Sequence, residues 1–299
     1  MRFSKIMIDN SYYNALPIAL APHKQIQFIQ VGCGGTGGFL VPMLARLILA
    51  LEKGGIAAEG VFVDFDSVEA VNVPRQNFCE AEIGLNKADI LAVRYSLAYG
   101  VKLGAIAEQF SLSMIQRSWQ KLIIIIGCVD NSTARIELSQ CLDYESYYFR
   151  EPFPEIWWLD CGNMGQGIPA GQVLIGSTNK FDAKAAFNDF KNPSFCIHLP
   201  SPSWQHPELL LAQPEEFSKN PISCAEIAQR NVQSLFINQR VATEAIEMLS
   251  QLVLTKTLRR FATYFHAESG SSSPRYTSQQ TLISKQDSSK YLIKSADAL

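Results

Sequence analysis

Short apolar runs alternate with helix-period segments through the first half of this chain. Ile26–Val31, Gly60–Phe65, Ala105–Phe110 and Leu122–Gly127 read as strands. Between and after them, Phe39–Leu51, Lys87–Tyr99 and Ser132–Leu142 read as helices. Strand–helix alternation of this kind predicts right-handed crossovers and a mostly parallel sheet with helices on both faces, an α/β fold. The unbroken Leu122–Ile126 run is expected to be a central strand buried on both sides. Pro42 sits inside the first helical pattern, so that helix is expected to begin later or to kink there.

The texture changes after Glu155. Ile156–Asp160 and Gln172–Ile175 read as two strands around a Gly-containing loop, Cys161–Gly171. Residues 189–222 hold many of the prolines and no periodicity, which predicts a long crossover. A helix is expected from Ser223 to Leu252. The chain becomes Ser-rich and polar after Phe265 and is expected to be mobile. The organisation that follows is a nucleotide-binding unit over residues 1–178, a crossover and helix completing it over 179–265, and a polar tail over 266–299.

Composition narrows the function classes. The 299 residues are 47% hydrophobic and 18% charged, with a formal net charge of -2. That balance gives no basic footprint for nucleic acid. Residues 1–20 mix Lys5, Asp9, Asn10 and Asn14 among apolar positions, unlike a leader, and the most apolar run falls well short of about 20 residues. No membrane is therefore expected. Seven scattered cysteines without Cys-x-x-Cys spacing argue for reduced thiols in a cytoplasm, and against a disulfide framework or a thiolate zinc site.

The chemistry begins where the first strand ends. Gly32, Gly34, Gly35 and Gly37 form a glycine loop between strand and helix, the order that presents a phosphate to the positive end of a helix. Asp64 closes the second strand, where an acid meets a ribose hydroxyl, and Asp66 follows it. Asn72, Arg75 and Gln76 come next. Arg75 offers a rigid fork of donors for phosphate oxygens, with Asn72 and Gln76 able to orient a phosphate or a metal-bound water. Lys87 begins the following helix, either as a phosphate ligand or as a surface lysine. Asp130 and Asn131 follow the Ile-rich strand; Asp130 could hold Mg²⁺ or, like Asn131, cap the helix from Ser132. Arg135, one turn into that helix, is expected to pair with Asp130.

As a set, Gly32-Cys33-Gly34-Gly35-Thr36-Gly37, Asp64-Phe65-Asp66, Asn72-x-x-Arg75-Gln76, Gly84-x-x-Lys87 and Asp130-Asn131 resemble the ubiquitin-activating E1 superfamily. The likeness is to its compact bacterial ThiF, MoeB and HesA adenylyltransferases. The narrower likeness, carried by Val71–Phe78 and Asp160–Asn163, is to the ThiF-family protein of PRTRC systems. The resemblance implies a Rossmann-like E1/ThiF-type fold with a smaller C-terminal extension. It further implies that ATP with Mg²⁺ activates the C-terminal carboxylate of a ubiquitin-like carrier. Lys87 and Arg75 would neutralise phosphates, Asp130 would bind Mg²⁺ and Asp64 the ribose. A homodimer, a cysteine thioester and an E2-like acceptor are also implied. Cys224 is the candidate thiol, since Ser223-x-x-Glu226 is a capping box that sets it in a first helical turn; Cys161 is the second. The family's N-terminal arginine has only Arg2 as a counterpart, and its zinc cysteines are missing. Two other classes compete: an NAD(P)-dependent oxidoreductase, and an E1-like protein that binds a partner without turnover.

Overall fold

The computed structural model describes residues 10–143, 153–163, 169–212 and 224–286, with the backbone alone over 224–235. Eight strands form one sheet: β1 (Gln25–Val31), β2 (Ala57–Val63), β3 (Leu103–Ile106), β4 (Lys121–Gly127), β5 (Ile156–Asn163), β6 (Ala170–Gly176), β7 (Arg260–His266) and β8 (Ser272–Tyr276). Their order is β3-β2-β1-β4-β5-β6-β7-β8. Pairing is parallel from β3 to β5 and antiparallel from β5 to β8. Among the described residues the helices include α1 (Asn10–Tyr13), α2 (Gly35–Lys53), α3 (Lys87–Tyr99), α4 (Ser132–Gln140), α5 (Pro202–Gln205) and α6 (Cys224–Val253), with a further helix over 279–286.

Strand β4 shows why the sheet needs cover on both sides. Leu122, Ile124 and Ile126 join one core with α2 and α6 residues such as Leu44, Ile48 and Ala245. Ile123 and Ile125 join the other, with Trp158 and with Leu138 of α4. Period-two alternation delivers an all-apolar strand to two cores at once. Helix α2 is long and apolar enough to span a membrane by length and composition. Here Leu40, Val41, Leu44, Ile48 and Leu51 are fully buried, so its apolar surface is spent inside the fold.

Three expectations change. Helix α2 starts ahead of Pro42 and runs through it. Proline supplies no N–H to the carbonyl four residues back, and the vacancy is filled from outside: Asn77 Nδ2 donates to Gly38 O at 2.8 Å. The 189–222 segment is not a plain crossover, because α5 and a 3₁₀ turn over Pro207–Leu210 lie within it. The chain after Phe265 is not a mobile tail as far as it is described. Strand β8 pairs with β7, a helix covers 279–286, and Leu282 is fully buried.

Candidate active site

Strands β2, β1 and β4 end level with one another, Val63, Val31 and Gly127 sharing one register row. This carboxyl edge is where open α/β sheets hold ligands. After Val31 the chain turns at Gly32 with φ at +92°, a conformation that glycine adopts without a Cβ clash. A Cβ on Gly37 would stand 2.1 Å from Gly32 O, so the turn and the first coil of α2 close only on a bare Cα. Beneath them the fully buried Gln30 donates through Nε2 to Gly32 O and Gly37 O, each at 3.1 Å. Gly34 precedes α2 and no side chain caps that helix, which leaves its first N–H groups for an anion.

A second clamp comes from α6. Asn238 Oδ1 accepts from Thr36 Oγ1 at 3.1 Å and from Asn163 Nδ2 at 2.7 Å. Its Nδ2 lies 2.3 Å from where a Gly35 Cβ would stand. Neither Gln30 nor Asn238 was singled out from the sequence. Gln30 did carry a signal there, as a polar residue in an apolar strand.

Asp64 ties the glycine loop to the next segment. Its Oδ2 accepts from Cys33 N at 2.6 Å and its Oδ1 from Asp66 N at 2.9 Å. Burial raises its pKa above the usual carboxylate value, against the pull of these two N–H groups. Each oxygen keeps lone-pair capacity for a hydroxyl donor. Asp66 accepts from Lys87 Nζ at 3.0 Å, and Lys87 is buried to 7% exposure, so it is no ordinary surface lysine. Asn86 fixes both: its Nδ2 donates to Asp64 O and Asp66 O, while its Oδ1 caps α3 through Ala88 N and Asp89 N.

The Asn72–Gln76 segment divides by role. Asn72, expected at a phosphate or metal-bound water, spends its Oδ1 on Glu69 N at 2.9 Å, and its carbonyl accepts from Arg75 N and Gln76 N. It shapes the turn. Arg75 Nε and Gln76 Oε1 are buried and without a hydrogen-bond partner. The Gln76 amide sits over the glycine loop, its Nε2 3.8 Å from a Cβ built on Gly34. Buried polar atoms without partners are costly unless a ligand completes them. An uncapped helix start, a loop that excludes Cβ atoms and an unpaired guanidinium fit a nucleotide's phosphates.

Asp130 follows β4 as an exposed carboxylate. Among the described residues no cation pairs with it. Asn131 is the α4 cap, accepting from Ala134 N at 2.8 Å. The expected Asp130–Arg135 pair is absent. Arg135 instead meets Asp160 Oδ1 at 3.3 Å and donates to Val129 O at 2.8 Å. Asp160 is fully buried, so it holds the guanidinium inward and leaves Asp130 free for a cation. Cys161 lies within β5 rather than marking a tight loop; the hydrogen bond its S–H donates to Cys128 and burial push its thiol well above the usual range, which makes it a poor nucleophile. Cys224 opens α6, but its side chain, Ser223 and Arg2 lie outside the described residues.

The ThiF family model matches residues 23–281. Among solved structures, E. coli MccB with ATP superposes with a TM-score of 0.52 at 13% identity, covering 84% of this chain and 64% of that one. The microcin C7 biosynthetic enzyme MccB in complex with N-formylated MccA gives 0.51 at 12%, with coverages of 84% and 64%. PaaA gives 0.52 at 16%, with coverages of 85% and 64%. The chain thus spans just under two thirds of the length of these structures, and at such identities the likeness is one of fold. No curated protein matches the chain. With the family model spanning both the glycine loop and the antiparallel half of the sheet, the chain belongs to the ThiF family.

Proposed function

We propose that this protein is an E1-like adenylyltransferase that uses ATP and Mg²⁺ to activate the C-terminal carboxylate of a ubiquitin-like carrier protein. The observation that carries the reading is the gathering of complementary groups at one sheet edge. The bare glycine loop, buried Lys87, the unpartnered Arg75 Nε and the exposed Asp130 all follow the ends of β1, β2 and β4. MccB, similar in fold, is known in complex with ATP. An oxidoreductase reading leaves Arg75 and Asp130 without work.

In this reading a carboxylate oxygen of the carrier forms a bond to the α-phosphorus of ATP, the bond to the bridging oxygen breaks, and pyrophosphate leaves. The N–H groups at the α2 start and the Arg75 fork offset the phosphate charge, and Lys87 adds its own, shared with Asp66. Asp130 would hold Mg²⁺, which supplies charge neutralisation when bound. Asp64, fixed by Cys33 N and Asp66 N, accepts from ribose. Such catalysis is positioning and electrostatics, and one lost charge donor costs about 3 kcal/mol, or roughly a hundredfold in rate. We extend the proposal to a cytoplasmic homodimer and to attack of the Cys224 thiolate on the acyl carbon, which breaks the bond to AMP and releases AMP, followed by exchange of the thioester onto the thiol of an E2-like acceptor that frees Cys224.

The test is ATP–pyrophosphate exchange with candidate ubiquitin-like proteins. Asp130→Ala and Arg75→Gln are each expected to cut exchange at least a hundredfold with an unchanged Tm. Cys224→Ala keeps exchange and removes any reductant-sensitive adduct. Exchange at the wild-type rate in Asp130→Ala would end its assignment to the metal.

A further inference from the structure

A cavity of about 880 Å³ lies at the antiparallel end of the sheet, lined by Asn14 and Leu16, by Tyr264 of β7 and Arg275 of β8, and by Thr281 and Lys285 of the 279–286 helix. Its volume is that of a small-molecule pocket. None of its lining comes from the glycine loop, α2 or the ends of β1, β2 and β4, so it stands apart from the candidate active site. Several segments hold its walls. Leu16 N donates to Thr277 O at 3.1 Å, Gln279 Nε2 donates to Phe190 O at 2.6 Å, and Leu282 anchors the helix in the core. Walls fixed in this way spare a ligand the cost of ordering them.

The lining is polar and positive. Seven of its fourteen residues carry a Ser or Thr hydroxyl or an Asn or Gln amide, and only Leu16, Pro193 and Phe261 are wholly apolar. That composition suits a hydroxylated solute and offers little to a lipid chain. Arg275 and Lys285 bring two positive charges, and no acid lines the space. Arg275 Nη1 donates to Ser273 Oγ at 3.0 Å and to Pro274 O at 3.3 Å, which leaves its Nε and Nη2 donors to a ligand. Its guanidinium stands 5.6 Å from the Tyr264 ring centroid. Lys285 Nζ donates to Gln205 O at 2.9 Å and keeps two further hydrogens. Among the described residues neither cation forms an ion pair. Glu208, whose charge reaches Lys285, is taken by His206 Nδ1 at 2.8 Å. Burial lowers the Lys285 pKa, Glu208 opposes the shift, and the Arg275 charge adds to it. An anion seated between the two cations would offset both the burial and the repulsion. A guanidinium fork beside an ammonium is a pair suited to phosphate oxygens.

We propose that this cavity binds a small phosphate monoester with a hydroxylated body, a sugar phosphate in kind, whose phosphate is held by Arg275 and Lys285. The hydroxyls of that body meet the amides and hydroxyls of Asn14, Gln280 and Thr281. This second site is independent of nucleotide binding at the glycine loop and holds whether or not the protein adenylates a carrier. Arg275 is exposed, so substituting it leaves the core intact.

The experiment is isothermal titration of the full chain, at constant ionic strength, with glucose 6-phosphate, ribose 5-phosphate and glycerol 3-phosphate. Glucose, succinate, inorganic phosphate and a phosphoserine tripeptide serve as comparisons. At least one of the three esters is expected to bind with one equivalent, more tightly than inorganic phosphate or succinate, and glucose is expected to give no heat. Arg275→Gln and Lys285→Gln are each expected to weaken that ester about tenfold or more while the Tm of the free protein holds. Arg75→Gln, at the glycine loop, is expected to leave its affinity unchanged. No binding by any of the three esters, or equal affinity in both cavity variants, would overturn the site. Loss of binding in Arg75→Gln would overturn it too, by moving the phosphate to the glycine loop. Succinate bound as tightly as the ester would end the phosphate assignment, and a tighter phosphoserine peptide would end the small-molecule one.

Discussion

Position 37 tolerates no side chain for a reason separate from its place in a motif. Its Cα stands over the Gly32 carbonyl, and a Cβ there would lie 2.1 Å from that oxygen, which Gln30 also holds from below. Neither group can retreat without opening the glycine loop. Gly37→Ala is expected to cost about 3 kcal/mol or more in urea unfolding and to abolish ATP binding. Gly104→Ala in β3 meets nothing within 4 Å and should shift stability by about 0.5 kcal/mol or less, in either direction. Comparable losses at both positions would mean that the glycine loop is not packed as described. At this scale the sequence was readable where chemistry is local. The glycines, Asp64 and Arg75 announced themselves by spacing along one strand–loop–helix unit. The clamp from Asn238 did not, since it closes on Thr36 from 202 residues away and no local pattern records such a contact. The Arg135–Asp160 pair was misread for the same reason: Asp130 is near in sequence, but β5 brings Asp160 nearer in space.

Helix α2 shows how an element can contradict propensity and still form. Pro42 deprives Gly38 O of its intrahelical donor. Asn77 replaces it at 2.8 Å and spends its second amide hydrogen on Tyr95 Oη at 2.9 Å, which joins α2 to α3. Asn77→Ala is expected to cost about 1–3 kcal/mol by stranding a carbonyl. In a Pro42→Ala background, where the backbone N–H returns, the same change should cost about 1 kcal/mol less. A double-mutant cycle by urea unfolding measures this coupling, and a coupling near zero would separate Asn77 from the proline. Strand and helix identity was otherwise legible. α3 spans the expected residues because Asn86 caps it and Gly100, left-handed at φ 66°, ends it. Pro42 was misjudged because its remedy comes from another element.

Over the whole molecule, the parallel half of the sheet and the antiparallel strand β6 could be read from apolar runs, whereas the outer strands β7 and β8 could not. β8 is Ser-Ser-Pro-Arg-Tyr, a polar strand with mostly exposed residues, so it carries no apolar period. What orders it is company. Leu16 N donates to Thr277 O, Thr277 Oγ1 donates to Arg259 O, and the Gln286 side chain accepts from Ala183 N, so segments from both ends of the chain close over β7. Leu282, fully buried in the same core as α2 and α6, is the apolar pin of this closure. Leu282→Ala should therefore cost about 2–4 kcal/mol, the usual penalty for emptying a Leu site in a packed core. Because that core is continuous with the one under the glycine loop, the loss should appear as a single lowered transition that moves intrinsic tryptophan fluorescence and far-UV circular dichroism together. An early transition confined to one probe would show that β8 and the 279–286 helix unfold apart from the nucleotide-binding half.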